Sequence, residues 1–320
     1  MRKRLGFGQL LLTLRVEEIY NKSNKMNKNP FRGLGIALVT PFNTDGTIDF
    51  STLENLVEQQ INNGADFMCV LGSTSEVPCI SPEEAEKIKS VVVKKVNRRI
   101  PLLIGISDNC TARLVETVKN ADLTGFDGIL SAAPSYNKPS QEGIYLHFSA
   151  LAKASKLPIV LYNIPGRTGV NITAETTLRL ARDFQNIIAI KEASGNITQI
   201  EDIMQGKPED FDLLSGDDAI TYELMGLGAV GVISVIGNSL TELFSKMVHL
   251  ELEGKEPEAR EIHRKLNTMY KLMSVNGNPS GIKALLSIEG KINNILRLPL
   301  VPATQQTHDE LVEALALLKS

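Results

Sequence analysis

The chain has 320 residues, 42% of them hydrophobic and 22% charged, enough apolar material for a sizeable core. Its 34 basic side chains against 37 acidic ones leave a net charge of −3, so no cationic surplus exists to hold a phosphate backbone, and nucleic-acid binding through bulk charge is excluded. No apolar run reaches the roughly 18 residues of a membrane helix, and the scattered Cys69, Cys79 and Cys110 and four separated histidines offer neither a disulfide framework nor a zinc site, as expected of a cytoplasmic, metal-free protein.

Residues 1–30 read as a tail. They open on Arg2, Lys3 and Arg4 and close on an Asn/Lys-rich stretch. Leu10, Leu11 and Leu12 are too few for a signal-peptide core, and Glu17 and Glu18 argue against a transit peptide. Met26 stands just before the first globular segment, which makes it the expected start of translation.

From Gly35 onward, short apolar runs alternate with amphipathic stretches. The runs are Gly35–Thr40, Phe67–Leu71, Leu102–Ile106, Gly128–Ala132, Ile159–Tyr162, Ile187–Lys191, Asp212–Ser215 and Gly231–Val235. Most are apolar almost throughout, as parallel strands covered on both faces should be. Helix starts fall between them: Ser81 followed by Pro82, Glu83 and Glu84, Ser140 before Gln141, and Thr173 before Ala174. Eight such units predict an α/β fold of the (β/α)₈, or TIM-barrel, type over residues 31–254. An open doubly wound sheet is the alternative, but no GxGxxG follows the first strand. Residues 255–320 predict a helical region with helices over Glu258–Met273, Pro279–Ile288 and Thr307–Leu318.

A barrel of this kind carries its chemistry at the C-terminal strand ends. Lys191 closes an apolar run, where a charged amine is costly. Desolvation there favours the neutral amine, the nucleophile that forms a Schiff base with a carbonyl. A lysine that snorkels to the rim, pairs with Glu192 or binds phosphate is the competing reading. Tyr162 closes the preceding run and can relay protons or simply pack as an aromatic. Gly72-Ser73-Thr74 suits a small carboxylate as well as an ordinary turn. Arg167 can fork onto a carboxylate or stand in solvent.

The ordered segments GIALVTPF, GSTSE, PSYNKPSQEG, YNIPGRTG, IKEASGN, LLSGDD and GVISV resemble the dihydrodipicolinate synthase family of pyruvate-dependent class I aldolases, in the N-acetylneuraminate lyase superfamily. The likeness spans about Gly35 to Val301. It implies a lyase of lysine and diaminopimelate biosynthesis that condenses pyruvate with L-aspartate 4-semialdehyde to 4-hydroxy-tetrahydrodipicolinate, with no cofactor. It further implies that Lys191 forms the Schiff base, that Tyr162 donates and accepts protons, and that Ser73 and Tyr136 complete the relay, Tyr136 from a neighbouring subunit of a homotetramer. Thr74 and Ile233 would hold pyruvate, and Arg167 the carboxylate of the semialdehyde. Sialic-acid lyases and 2-keto-3-deoxysugar-acid aldolases share the lysine and tyrosine, and a non-catalytic barrel is a further alternative. Arg167-Thr168-Gly169 favours the synthase, and the presence of Lys191 and Tyr162 favours an enzyme.

Three departures from the family pattern matter. Ser73 stands for a threonine and keeps its hydroxyl. Ser75 stands for a glycine, which would strain the loop if that position required a positive φ. In the lysine-binding pocket of relatives, Asn109 is kept, but Arg113 stands for an acidic residue, Ser135 for a tyrosine, and Pro82 and Ala85 for polar or aromatic groups, which implies weak inhibition by lysine or none.

Overall fold

A computed structural model describes residues 29–319. The expected tail therefore lies outside the described residues, except for its last two positions. Of these, Asn29 is buried, and its side-chain amide donates to Asp212 at 2.9 Å.

Eight parallel strands form one closed barrel in chain order: β1 (Gly33–Ala37), β2 (Phe67–Val70), β3 (Leu102–Gly105), β4 (Gly128–Ala132), β5 (Ile159–Asn163), β6 (Ile187–Glu192), β7 (Asp212–Ser215) and β8 (Gly231–Ser234). β8 returns to pair with β1, Ile233 opposite Gly35. Nearly every strand residue is buried, because the helices cover the outside and side chains fill the inside. Phe31, Phe67, Leu103, Val160, Leu214 and Ile233 belong to the inner cluster. Phe31 and Phe67 pack with ring centroids 5.4 Å apart. Gly35 leaves them room, since a Cβ there would lie 2.2 Å from the Phe67 ring.

The intervening helices are α1 (Phe50–Asn62), α2 (Pro82–Val96), α3 (Thr111–Asn120), α4 (Gln141–Ala154), α5 (Ala174–Asp183), α6 (Ile197–Gly206), α7 (Thr221–Gly226) and α8 (Thr241–Leu252). The three expected caps are present. The Ser81 hydroxyl accepts from the Glu84 amide while the Glu84 carboxylate accepts from the Ser81 amide, a reciprocal box. Ser140 and Thr173 accept from the Gly143 and Thr176 amides. Asp49 and Asn196, which sequence reasoning passed over, cap α1 and α6 in the same way. Among the described residues no helix is long and apolar enough to cross a membrane.

The largest boundary shift is in β1, which ends at Ala37 rather than Thr40. Leu38 still donates its amide to the Cys69 carbonyl of β2 at 3.0 Å, and beyond it the chain meets other partners. The Val39 amide donates to the Asn238 side chain, and the Thr40 hydroxyl donates to the Ser75 carbonyl.

After the barrel come α9 (Glu256–Val275), α10 (Ser280–Ile288) and α11 (Gln305–Lys319). α9 packs on α8, and α10 and α11 pack on α9 and on each other. The segment between α10 and α11 is fastened to α2 by Arg297, whose guanidinium forks onto both Glu84 oxygens at 2.6 Å. That pairing holds the Glu84 carboxyl down to about 2, well below its usual range. A depressed carboxyl contributes stability that is full above its unfolded value, near 4.5, and is lost as the pH falls through about 2. Glu84→Gln should therefore flatten the fall in melting temperature between those two pH values. Identical acid profiles for parent and variant would show that the pair does not couple to folding.

Candidate active site

After a register shift between Ile159 and Val160, β5 and β6 pair with Tyr162 opposite Lys191 and Asn163 opposite Glu192. Lys191 is 4% exposed and Tyr162 7% exposed. The Lys191 ammonium nitrogen lies 4.3 Å from the centroid of the Tyr162 ring, a cation–π distance. Lys191 neither snorkels to the rim nor pairs with Glu192. The Glu192 carboxylate, fully buried, accepts instead from the Asn163 side chain (3.0 and 3.1 Å), the Gln199 side chain (3.2 Å) and the Ser194 amide (2.7 Å). Among the described residues Lys191 makes no ion pair. It is a buried amine facing an aromatic ring.

Two neighbours shape this amine's surroundings. Gly216, just after β7, provides clearance: a Cβ there would lie 3.0 Å from the Lys191 side chain and 2.7 Å from Ala193. Burial pushes the Cys69 thiol up to about 11, against a smaller opposite pull from Lys191, so Cys69 stays a neutral thiol rather than a competing nucleophile.

The turn after β2 sits at the same end of the barrel. Ser73–Ser75 form a single tight turn with Thr74 and Ser75 buried and Ser73 partly exposed. The strain anticipated at Ser75 is absent. Its hydroxyl donates to the Leu38 carbonyl at 2.7 Å, and the positive φ values fall on Leu71 (57°) and Glu76 (60°) instead. The Thr74 hydroxyl accepts from the Asn278 side-chain amide at 2.8 Å, while the Arg167 guanidinium donates to the Asn278 backbone carbonyl, also at 2.8 Å. Asn278, just ahead of α10, thus links two predicted substrate residues that sequence separates by more than ninety positions. Ile233 lies buried on β8. The strand's exit is pinned by Asp218, whose carboxylate accepts from the Val235 and Ile236 amides and is pushed up to about 6 by burial.

The predicted relay is not joined within one chain. Among the described residues, no hydrogen bond links Tyr162 to Ser73 or Tyr136. Tyr136 is 89% exposed at φ 68°, its amide donating to the Thr168 carbonyl. A left-handed, outward-facing tyrosine is costly in an isolated chain.

Beside it, the Asn109 side chain accepts from both the amide and the hydroxyl of Ser135. Arg113 pairs with Asp108 at 2.8 Å, which holds that carboxyl below its usual range. The positive charge of Arg113 is therefore balanced locally. Repulsion of a cationic ligand is weaker than the arginine alone implies.

Residues 30–318 match the family model described as the dihydrodipicolinate synthetase family. The chain is 56% identical to a 4-hydroxy-tetrahydrodipicolinate synthase of Phocaeicola vulgatus, over 92% of its own length and 99% of the relative's. Among solved structures it resembles the dihydrodipicolinate synthase of Thermotoga maritima, with a TM-score of 0.89, 39% identity, and 91% and 99% of the two chains covered. A structure described as the first monomeric dihydrodipicolinate synthase variant is equally similar, with a TM-score of 0.89, 39% identity, and 91% and 98% covered.

The clearance at Gly216 yields a sharp expectation. Gly216→Ala should cost about 1–3 kcal/mol of stability through overpacking and should slow reaction of the Lys191 amine with a carbonyl compound disproportionately. Urea unfolding and borohydride trapping measure the two effects. Unchanged trapping would mean that the lysine arm does not need this gap.

Proposed function

The chain belongs to the dihydrodipicolinate synthetase family, and from that membership and the geometry of Lys191 we propose that it condenses pyruvate with L-aspartate 4-semialdehyde to form 4-hydroxy-tetrahydrodipicolinate. The observation that carries the mechanism is the buried Lys191 amine, free of any carboxylate partner among the described residues and set against Tyr162.

The neutral amine adds to the keto carbon of pyruvate, and loss of water leaves a Schiff base. Its cationic nitrogen draws electrons from the adjacent methyl group, which gives up a proton to become an enamine. The enamine carbon attacks the aldehyde carbon of the second substrate, and the new alkoxide takes up a proton. The amino group carried by the semialdehyde then adds to the imine carbon and expels Lys191, closing the ring. Overall one water is lost, and no cofactor is required.

Tyr162 moves the protons at the imine and at the alkoxide, with Ser73 and Tyr136 as its relay. The amides and hydroxyl around Thr74, together with Ile233, hold the pyruvate carboxylate. Arg167 holds the second carboxylate, a group that sugar-acid substrates do not present in that place. Tyr136 serves the site of a second copy, a role supported by its exposure and strained backbone. The working form is a homotetramer, in the cytoplasm, within lysine and diaminopimelate biosynthesis.

Borohydride reduction in the presence of pyruvate should add mass to the peptide carrying Lys191, and Lys191→Ala should fold, trap nothing and lose condensation. An adduct on another lysine would overturn the assignment. For assembly, light scattering should give a dimer or larger species, and Tyr136→Phe should reduce turnover by about a hundredfold, in line with the loss of an acid–base group. An active monomer would reject the shared relay.

A further inference from the structure

The C-terminal helices contain another buried lysine, which the reaction above does not use. Lys283, on α10, and Glu76, directly after the Ser73–Ser75 turn, are both fully buried and meet at 2.5 Å. The Lys283 ammonium also donates to the Ile295 carbonyl at 2.9 Å and lies 4.1 Å from the Phe42 ring centroid. The second Glu76 oxygen accepts from the Arg297 amide at 2.9 Å.

Glu76 is an unusual place for an ion pair. It holds the left-handed backbone, φ 60°, that ends the Thr74 turn, a conformation that costs an ordinary residue energy and persists only where its surroundings impose it. The other side of the turn is fixed by hydroxyl bonds from Thr40 to the Ser75 carbonyl and from Ser75 to the Leu38 carbonyl. The turn is thus gripped between the exit of β1 and the C-terminal helices, with Glu76 as the handle on the second side.

The pair is a poor source of stability. Burial lowers the Lys283 ammonium to about 8 although a carboxylate touches it, so desolvation outweighs the attraction. Apolar groups of similar volume commonly replace such pairs without loss of folding. What they do not replace is the directional hold on a strained backbone.

We propose that Lys283 is a positioning residue for pyruvate: acting through Glu76, it keeps the turn carrying Thr74 in the shape that receives the substrate's carboxylate. The inference rests on the reading that pyruvate forms a Schiff base on Lys191 with its carboxylate at Thr74.

Lys283→Met alone strands a buried carboxylate and risks misfolding, so the decisive protein is Lys283→Met combined with Glu76→Gln. The glutamine keeps an acceptor for the Arg297 amide while the ion pair is gone. Borohydride trapping across a pyruvate titration, with the melting temperature measured alongside, tests the idea. Expected are a melting temperature within a few degrees of the parent, full labelling of Lys191 at saturating pyruvate, and a half-saturating pyruvate concentration raised about tenfold, equivalent to roughly 1.4 kcal/mol of binding. A folded double variant with the parent's half-saturation would overturn the proposal and leave the pair a packing feature. Loss of folding in the double variant would also overturn it, since the pair would then be structural. Failure of the parent itself to label Lys191 would instead refute the Schiff-base reading on which the inference rests.

Discussion

Closing a sheet of parallel strands gives every strand the same direction, so all eight C-terminal ends crowd around one opening. The β5–β6 register turns that general property into a specific one. Tyr162 and Lys191 fall side by side, and one residue further on Asn163 meets Glu192. Glu192 faces away from the opening and is satisfied by amide donors, so it does not neutralise the lysine next to it in sequence. Alternation along a strand sends the cation and the anion to opposite faces. A one-residue slip would exchange those faces and remove the amine from the opening.

Lys191 and Lys283 are both buried, in opposite circumstances. Lys191 has an aromatic ring and clearance at Gly216 but no carboxylate. Lys283 has a carboxylate, a carbonyl and an aromatic ring. On the proposed chemistry the first is the nucleophile, with no carboxylate paired to it among the described residues, while the second is tied into an ion pair. Burial alone does not separate a chemical lysine from an architectural one. The partner list does.

Much of this was legible from residue order. The eight apolar runs fell on the eight strands because each is buried on both faces, and Ser81, Ser140 and Thr173 sat where helix amides need acceptors. Lys191 and Tyr162 stood out because they end runs that are otherwise apolar. The misses share a cause. β1 was drawn three residues too far at its C-terminal end and two too late at its start, because Leu38, Val39 and Thr40 continue its apolar, β-branched character, while Asn238 and Ser75, which hold this segment, lie elsewhere in the chain. Strain was expected at Ser75 only if that position required a positive φ; the positive φ falls instead on Glu76, whose buried partner is more than two hundred residues away. Asn278 carries no periodic or motif signal, and its function is visible only once Thr74 and Arg167 are seen to meet on it. The salt partner of Arg113, by contrast, was only five positions upstream and was missed by treating the arginine alone.

The two phenyl rings packed against each other at the base of the barrel carry a further implication. Phe31 and Phe67 are wholly enclosed, and Gly35 and Gly128 bring the backbone hard against them, so that end offers no passage. Everything that reaches the amine, and everything that leaves it, has to share one doorway. On the proposed chemistry, the keto acid must enter first and release its water outward before the aldehyde can follow, and the finished ring must depart before the next keto acid arrives. The order of traffic is thereby written into the barrel's blind end as much as into the groups at its rim.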